Sequence, residues 1–504
     1  MVSTAETVYA IHGNRMEATP ESQLQQPHGT RVGPSLTSAA LLSAALALLA
    51  GLALRAWMLL RLFEVDGDSL IYGGIAKNLL LHGRYALTLG NGDTYLTLIR
   101  LPGYPFFLAL CFRLFGIENY FAACCVQIGL DLAGCLLLAG FVARVLSSSP
   151  PPIARRAALA ALWLAALCPF IASYDALPMA EAPTFFALCL ALWTMAHFRQ
   201  RPGWLSGLGF TCAVTWAALL RPDGALAAIA FVPVVLMAFR DSARQPEHLR
   251  RLTRIAVVCL LLALAPFAAW TWRNWSVYHI FQPLAPRLAT DPGEDPNPGW
   301  ESWVKSWCLD FASTYQIYWN VPDGKLDIRD LPSRAFDSPQ QYAATAALAD
   351  DYNLSQRLTP PLNARFAALA RQRIAAHPLR YYLVLPLGRL ADMWLRPRVE
   401  NLPIDLDWWN YARHHNETLF SWLYAALNLL YLLLAGIGLL LRPRYWQALL
   451  AYLLLRSALL LTVEAPETRY TLECFPMLFA LGAVALAAAL RSLQQPSPRP
   501  GAGR

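Results

Sequence analysis

The residues best placed to do chemistry begin at DGDSLIYGGIAKNLLLHGRYAL, residues 66–87. Asp66 and Asp68 follow directly on an apolar run, and an amphipathic pattern starts after them. A carboxylate in such a place can take a proton from a hydroxyl, or it can simply cap a helix. Asp68 has the residue type of an N-cap and Gly83 that of a stop. Between them Ile71, Tyr72, Ile75, Ala76, Leu79 and Leu80 keep the i, i+3/i+4 stripe of a helix. The stripe predicts a helix lying in a membrane interface, with its N-terminus near the headgroups. Asp66 reads as a solvated turn residue. Taken alone, these residues leave capping and catalysis equally open.

More charges recur between apolar runs. Arg100 opens RLPGYPFFLALCFRLFG (100–116), and Asp175 and Glu181 sit in YDALPMAEAPTFF (174–186). Arg221 sits in LLRPDGAL (219–226), Arg273 in TWRNWSVYHIFQPL (271–284), and Arg469 with Tyr470 in APETRYTLECFPMLF (465–479). Arginine forks hold phosphate well, and they equally anchor ordinary lipid headgroups. Glu181 also suits the start of a helix, where an acid meets the positive end of the dipole. His414 and His415 make a poor metal pair, because adjacent helical residues diverge.

The elements that must position these residues are apolar. Of 504 residues 56% are hydrophobic and 15% charged, against about 25% charged in an average soluble domain. Apolar stretches long enough to cross a ~30 Å hydrocarbon core recur along the chain. The expected fold is all-α and polytopic, with about ten spans at 38–63, 119–143, 157–173, 178–197, 204–220, 223–240, 255–273, 419–441, 445–462 and 470–490. The net charge of +8 is mostly arginine beside these runs, which suits cytoplasmic loops and membrane lipids rather than nucleic acid.

Alternate connections divide by charge. One set carries Arg144, Arg155, Arg156, Arg199, Arg201, a cluster from Arg240 to Arg254, Arg442 and Arg444; the other carries the acids named above. The basic set belongs in the cytoplasm, which places 64–118 and the acidic loops on the outer face. Residues 1–37 and 492–504 read as cytoplasmic tails, the first disordered. Residues 38–273 read as a membrane core and 419–491 as the last helices. The long connection 274–418 reads as a small outer-face domain, with 378–397 as an interfacial helix. Its Trp300, Trp303 and Trp307 suit either sugar stacking or core packing. Ten cysteines, nearly all inside apolar runs, form no disulfide or metal pattern. Arg55 and Asp131 fall at similar depth in the first two spans. A lone charge there costs about 2.5–3.5 kcal/mol or more, so the two should pair as a structural tie.

At these residues the sequence resembles the GT-C membrane glycosyltransferases, especially the lipid A aminoarabinose and galacturonic acid transferases and the protein O-mannosyltransferases. The first loop carries the resemblance: D-x-x-x-Y from Asp68, A-x-N-L-x-x-H-G from Ala76, then R-x-P-G-Y-P from Arg100. The resemblance implies a GT-C helical core, a polyprenyl-phosphate sugar donor and inverting transfer to a lipid, glycan or protein acceptor on the outer face. It implies Asp68 as general base, Glu181 as a second acid, and Arg100, Arg221, Arg273 and Arg469 on the donor phosphate. Tyr72, His82, Tyr104 and Tyr470 are the candidates for substrate contact. Some such enzymes use a divalent cation, but no metal ligands stand out in this chain. The composition points to a bacterial inner membrane, with the site facing the periplasm. A transporter or flippase of lipid-linked sugars would show paired repeats, and none is present. An O-antigen ligase or polymerase would lack the acidic first loop followed by R-x-P-G-Y-P.

Overall fold

The structure is a computed structural model that describes residues 35–286, 289–294, 296–321 and 324–494. The two expected tails lie almost wholly outside these residues. The chain is helical almost throughout. Helix α1 spans Ser35–Leu62, α2 Gly67–His82, α3 Gly103–Phe115, α4 Tyr120–Val145, α5 Pro151–Ala166, α6 Pro169–Asp175 and α7 Glu181–Gln200. Then follow α8 Trp204–Leu220, α9 Leu226–Ser242, α10 Pro246–Tyr278, α11 Pro298–Lys305, α12 Phe311–Ser313, α13 Pro339–Ser355, α14 Pro360–Ala376 and α15 Leu385–Leu395. The last three are α16 His415–Leu440, α17 Trp446–Leu460 and α18 Phe475–Gln494. One short antiparallel hairpin, β1 (Ala86–Thr88) with β2 (Thr94–Leu96), joins α2 to α3.

Among the described residues six helices are long and apolar enough to cross a membrane, and α5 with α6, bent by 51°, makes a seventh if the pair is one span. The remaining expected spans fall on α7, α8 and α17. Helices α8 and α17 are apolar but only 17 and 15 residues long, and α7 mixes His197, Thr194 and Arg199 into its length. Length and composition therefore stop short of ten. Burial separates the spans into layers. The span containing α18 is 83% buried and α4 44%, whereas α10 is 11% and α1 17%. Helix α18 is the central post, packed by α16, α5 and α4, while α10 turns Leu260, Leu261 and Leu264 outward.

Arg55 sits fully buried between Asp131 and Asp175, its Nε 2.9 Å from the Asp175 carboxylate. Its guanidinium also donates to the Gly51 and Ala166 carbonyl oxygens. One arginine thus ties α1, α4, α5 and α6 together inside the membrane. Asp175, one of the acids of the outer loops, is used up in this cluster.

The loop 64–118, expected on the outer face, differs from its sequence reading in two ways. Helix α2 begins at Gly67, and its N-cap residue is Asp66, whose side chain makes no capping bond. Gly67 holds φ +45°, a left-handed conformation that lets the chain turn sharply and puts Asp68 in the first helical turn. The apolar stripe of α2 also does not rest on lipid. Tyr72, Ile75 and Ala76 are buried against α3 and the hairpin, because α3 is apolar along its whole length and competes with lipid for that face. Gly103 sits at the start of α3, where a Cβ would come 2.5 Å from the Leu219 carbonyl carbon. Only glycine allows α3 to meet the end of α8 this closely.

The connection 274–418 has its own core. Trp300, Trp303, Trp307, Tyr352 and Phe366 are buried together, so the tryptophans serve mainly as packing. Within 378–397 a π-helical turn leads into α15. Tyr382, Leu383, Val384, Leu387 and Leu395 face outward, while Arg389 and Met393 are fully buried. One face is greasy and exposed and the other anchored in protein, the form of an interfacial helix.

Candidate active site

Asp68 lies on the wall of a cavity of about 1430 Å³. The cavity opens between the α1–α2 turn, the α6–α7 connection, the loop domain and the turn before α18. The two oxygens of Asp68 face different arginines: Oδ1 accepts from Arg100 at 2.5 Å, and Oδ2 lies 3.2 Å from Arg469. Each arginine is held by a distinct element. Arg100 comes from the turn before α3, and its guanidinium lies over the Tyr72 ring at 5.7 Å. Arg469 comes from the 3-10 turn Thr468–Cys474 that leads into α18. It also pairs with Glu467, whose other oxygen accepts from the Tyr470 hydroxyl at 2.5 Å.

A second layer of charge lies behind this pair. Arg221, at the end of α8, reaches Glu181 at 2.8 Å and Glu473 at 2.7 Å. Arg456 of α17 bonds Asp223, lies 3.2 Å from Glu473 and donates to the Tyr470 carbonyl oxygen. Glu181 is also the first residue of α7, so it serves helix and cluster together. Its 3.9 Å approach to Arg469 links the two layers. Four arginines thus alternate with five carboxylates. Each acid has a partner, which is how such a density of charge survives near hydrocarbon.

At Asp68 burial and neighbouring charge act in opposite directions. Burial does push the Asp68 carboxyl upward, but the guanidinium groups of Arg469 and Arg100 outweigh it and hold the carboxyl at about 2. As found, Asp68 is a firmly ionised anion and a weak base. Burial, with the Asp68 charge beside it, pushes the Tyr72 phenol up to about 12, so Tyr72 offers a ring and not a proton.

Seven of the residues singled out in the sequence meet in this network: Asp68, Glu181, Arg100, Arg221, Arg469, Tyr72 and Tyr470. Tyr104 stands one shell back. It is fully buried, bonds Gln127, and meets the Tyr72 ring edge-on at 4.9 Å. Arg273 lies elsewhere. Its guanidinium is caged by the rings of Tyr85, Trp270 and Tyr278 at 5.3–5.5 Å and donates to the Tyr85 carbonyl oxygen. His82 is exposed at the far end of α2, four turns from Asp68. Asp66, expected to be merely solvated, lines the same cavity as Asp68, and no side-chain bond holds it.

Sequence reasoning missed Glu467, Glu473, Asp223, Arg456 and Glu400 as parts of the site. A single charge inside an apolar run marks Arg456 and Glu473. Glu400 lies in an irregular loop with no such signal, yet it lines the cavity and accepts from Tyr174 and Thr468.

Residues 100–272 match the family model described as dolichyl-phosphate-mannose-protein mannosyltransferase. That stretch carries Arg100, Tyr104, Glu181 and Arg221. It agrees with the first-loop motif in making the chain similar to GT-C glycosyltransferases. Comparison with curated proteins returns no match. Among solved structures, the Archaeoglobus fulgidus oligosaccharyltransferase, tethered with an acceptor peptide containing the NVT sequon, is 14% identical with a TM-score of 0.47. The alignment covers 90% of this chain and 50% of that one, so this chain spans half the length of that enzyme. ArnT from Cupriavidus metallidurans bound to undecaprenyl phosphate is 16% identical with a TM-score of 0.37, over 92% of this chain and 82% of that one. Likenesses this remote carry no argument about chemistry.

Proposed function

We propose that the protein is a membrane glycosyltransferase that moves a sugar from a polyprenyl-phosphate donor to a hydroxyl acceptor. The observation that carries this reading is Asp68 on a large cavity wall with its two oxygens divided between Arg100 and Arg469. The partial family match and the first-loop motif support it.

The chemistry suits the residues. A lipid phosphate leaves as a stable anion, so the reaction needs cations for the departing charge and a base for the acceptor, with no general acid. Arg469 and Arg100 supply the forks, and bidentate guanidinium–phosphate bonds are strong and directional. Phosphate entering between the arginines competes with Asp68 for them. As they turn to the phosphate, the force that holds Asp68 at about 2 relaxes, and the carboxylate becomes basic when the donor is in place. The acceptor oxygen then attacks the anomeric carbon opposite the phosphate, its proton passes to Asp68, and the sugar–phosphate bond breaks with inversion. Glu181 and Arg221 hold Arg469 and the turn before α18 in position.

The cavity supplies the acceptor side. Its charged lining is dominated by acids, Glu64, Asp66, Glu400 and Glu467 among them, which favours a neutral or cationic acceptor over an anionic one. We place the site on the periplasmic face of a bacterial inner membrane, on the strength of the arginine-rich connections on the opposite side. The test is transfer of labelled sugar from polyprenyl phosphate in membranes, comparing wild type with Asp68→Asn at matched protein levels. Loss of transfer with retained donor binding supports the reading, and equal turnover overturns it.

A further inference from the structure

A cluster unrelated to the arginine network lies at the start of α16. The segment DLDWWNYARHHNE (405–417) folds back so that His414, Asp405 and Glu417 face one another. The His414 Nδ1 lies 3.2 Å from Asp405 Oδ2 and 3.5 Å from Glu417 Oε1. Nitrogen and oxygen ligands at ~2.0–2.2 Å around a tetrahedral zinc ion are spaced ~3.3–3.6 Å apart. Of the gaps here, 3.5 Å falls within that spacing and 3.2 Å just below it.

His414 is 9% exposed. Its Nε2 is buried and makes no aligned hydrogen bond, yet it stands 3.0 Å from Asp407 Oδ1. A carboxylate behind the second ring nitrogen is the arrangement that orients a metal-binding imidazole. Glu417 is also set in place, because its Oε2 accepts from the Asp405 N–H at 2.8 Å and leaves Oε1 for the cluster. Three carboxylates crowd one imidazole, and Arg413 reaches Asp407 alone among them, at 3.5 Å and from solvent. A cation is what this charge balance lacks. His415 plays no part, since it packs on the Tyr411 ring.

We propose that Asp405, His414 and Glu417 bind a divalent transition-metal ion of the zinc type, with Asp407 orienting His414. A side cavity of about 580 Å³ adjoins the cluster and is lined by Asp405 and Asp407. That cavity shares Glu400 and Leu402 with the large one. The ion fastens the segment that forms this shared wall to the first turn of α16. Its role is to hold the cavity in shape, away from Asp68, whose oxygens are both committed to arginine.

Zinc chloride is the probe. Full-length protein in detergent is stripped with a chelator, incubated with zinc, desalted, and assayed for bound metal and for Tm. Wild type is expected to retain zinc stoichiometrically and to melt several degrees higher with it. His414→Gln and Glu417→Gln should lose the metal and the Tm rise, and Asp407→Asn should bind about 10–100-fold more weakly. Asp405→Asn guards against misfolding, since its side chain is 64% exposed and its loss should remove zinc while leaving the zinc-free Tm unchanged. Equal zinc retention in wild type and Asp405→Asn overturns the proposal. So does a wild-type Tm indifferent to zinc, which would make His414 an ordinary ion-pair partner.

Discussion

Arg55 and Arg469 each stand between two carboxylates, and the difference between their surroundings is instructive. Arg55, with Asp131 and Asp175, is wholly sealed from solvent, and its spare donors are taken by backbone carbonyl oxygens of α1 and α5. Arg469, with Asp68 and Glu467, has a side chain 18% exposed and stands on a cavity wall. The first arrangement has nowhere for a ligand to enter, so it is architecture. The second can exchange one anion for another. The same ion pair is closed to a ligand or open to one according to whether open space adjoins it.

The comparison breaks most visibly at Asp68. Asp68→Asn keeps the volume and removes the proton acceptor, so sugar transfer should fall by about 10²–10⁴-fold while donor binding persists on the arginines. Asp66→Asn, on the same wall but without an arginine partner, should cost much less. Equal losses in the two variants would misplace the base.

Arg55→Met reverses the pattern. It strands Asp131 and Asp175 without a counter-charge, which should cost about 3–5 kcal/mol of stability. Folded yield and Tm should drop, and the molecules that do fold should turn over normally. A variant with normal Tm and low turnover would make Arg55 part of the chemistry.

Arg469→Lys sharpens the open side. Charge survives but the fork is lost, so the donor KM should rise by about ten-fold, the scale of a single charge-assisted bond, with a smaller fall in kcat. An unchanged KM would remove Arg469 from the phosphate.

The acid limb of the pH profile tests the exchange of anions directly. In the free enzyme Asp68 is held at about 2, so its ion pairs are fully formed above the ordinary carboxylate range and are lost only as pH falls through about 2. The profile of kcat/KM reports the free enzyme and that of kcat the donor complex. Donor phosphate draws the arginines off, so the acid limb of kcat should lie at higher pH than that of kcat/KM. Coincident limbs would show that Asp68 keeps its arginines throughout the cycle. The smallest effect is expected at Arg273→Lys, which disturbs an aromatic cage outside the network; Tm should shift slightly and transfer should stay near wild type.

Much of this was legible in the sequence, for a physical reason. Membrane helices announce themselves by long apolar runs, and any charge inside or beside such a run is conspicuous. Arg55 and Asp131 pair on that ground alone, whereas Asp68, Arg100, Glu181, Arg221 and Arg469 stand out as charges but become site candidates only through the resemblance of the loop motifs. What stayed hidden depends on which surfaces meet. The stripe of α2 looks the same whether it rests on lipid or on α3, and only the packing decides. Arg273, like Arg469, stands at the edge of an apolar run beside an aromatic residue, yet three aromatic rings claim it. Asp68 near a membrane suggests a raised pKa until two arginines from distant turns are brought to it. The acid and histidine spacing at 405–417 is irregular because the segment is a folded loop, so helical periodicity hides it.

The turn before α18 has a consequence for how the protein comes into being. Asp68 precedes Arg469 by about 400 residues of chain, and Arg469 leads into α18, the most buried of the spans among the described residues. Membrane helices are delivered in order during synthesis. Asp68 therefore waits through the synthesis of about 400 residues before its second arginine arrives. A chain made only as far as α17 carries Asp68 without Arg469, so this charge pair closes late, after the helices between the two are in place.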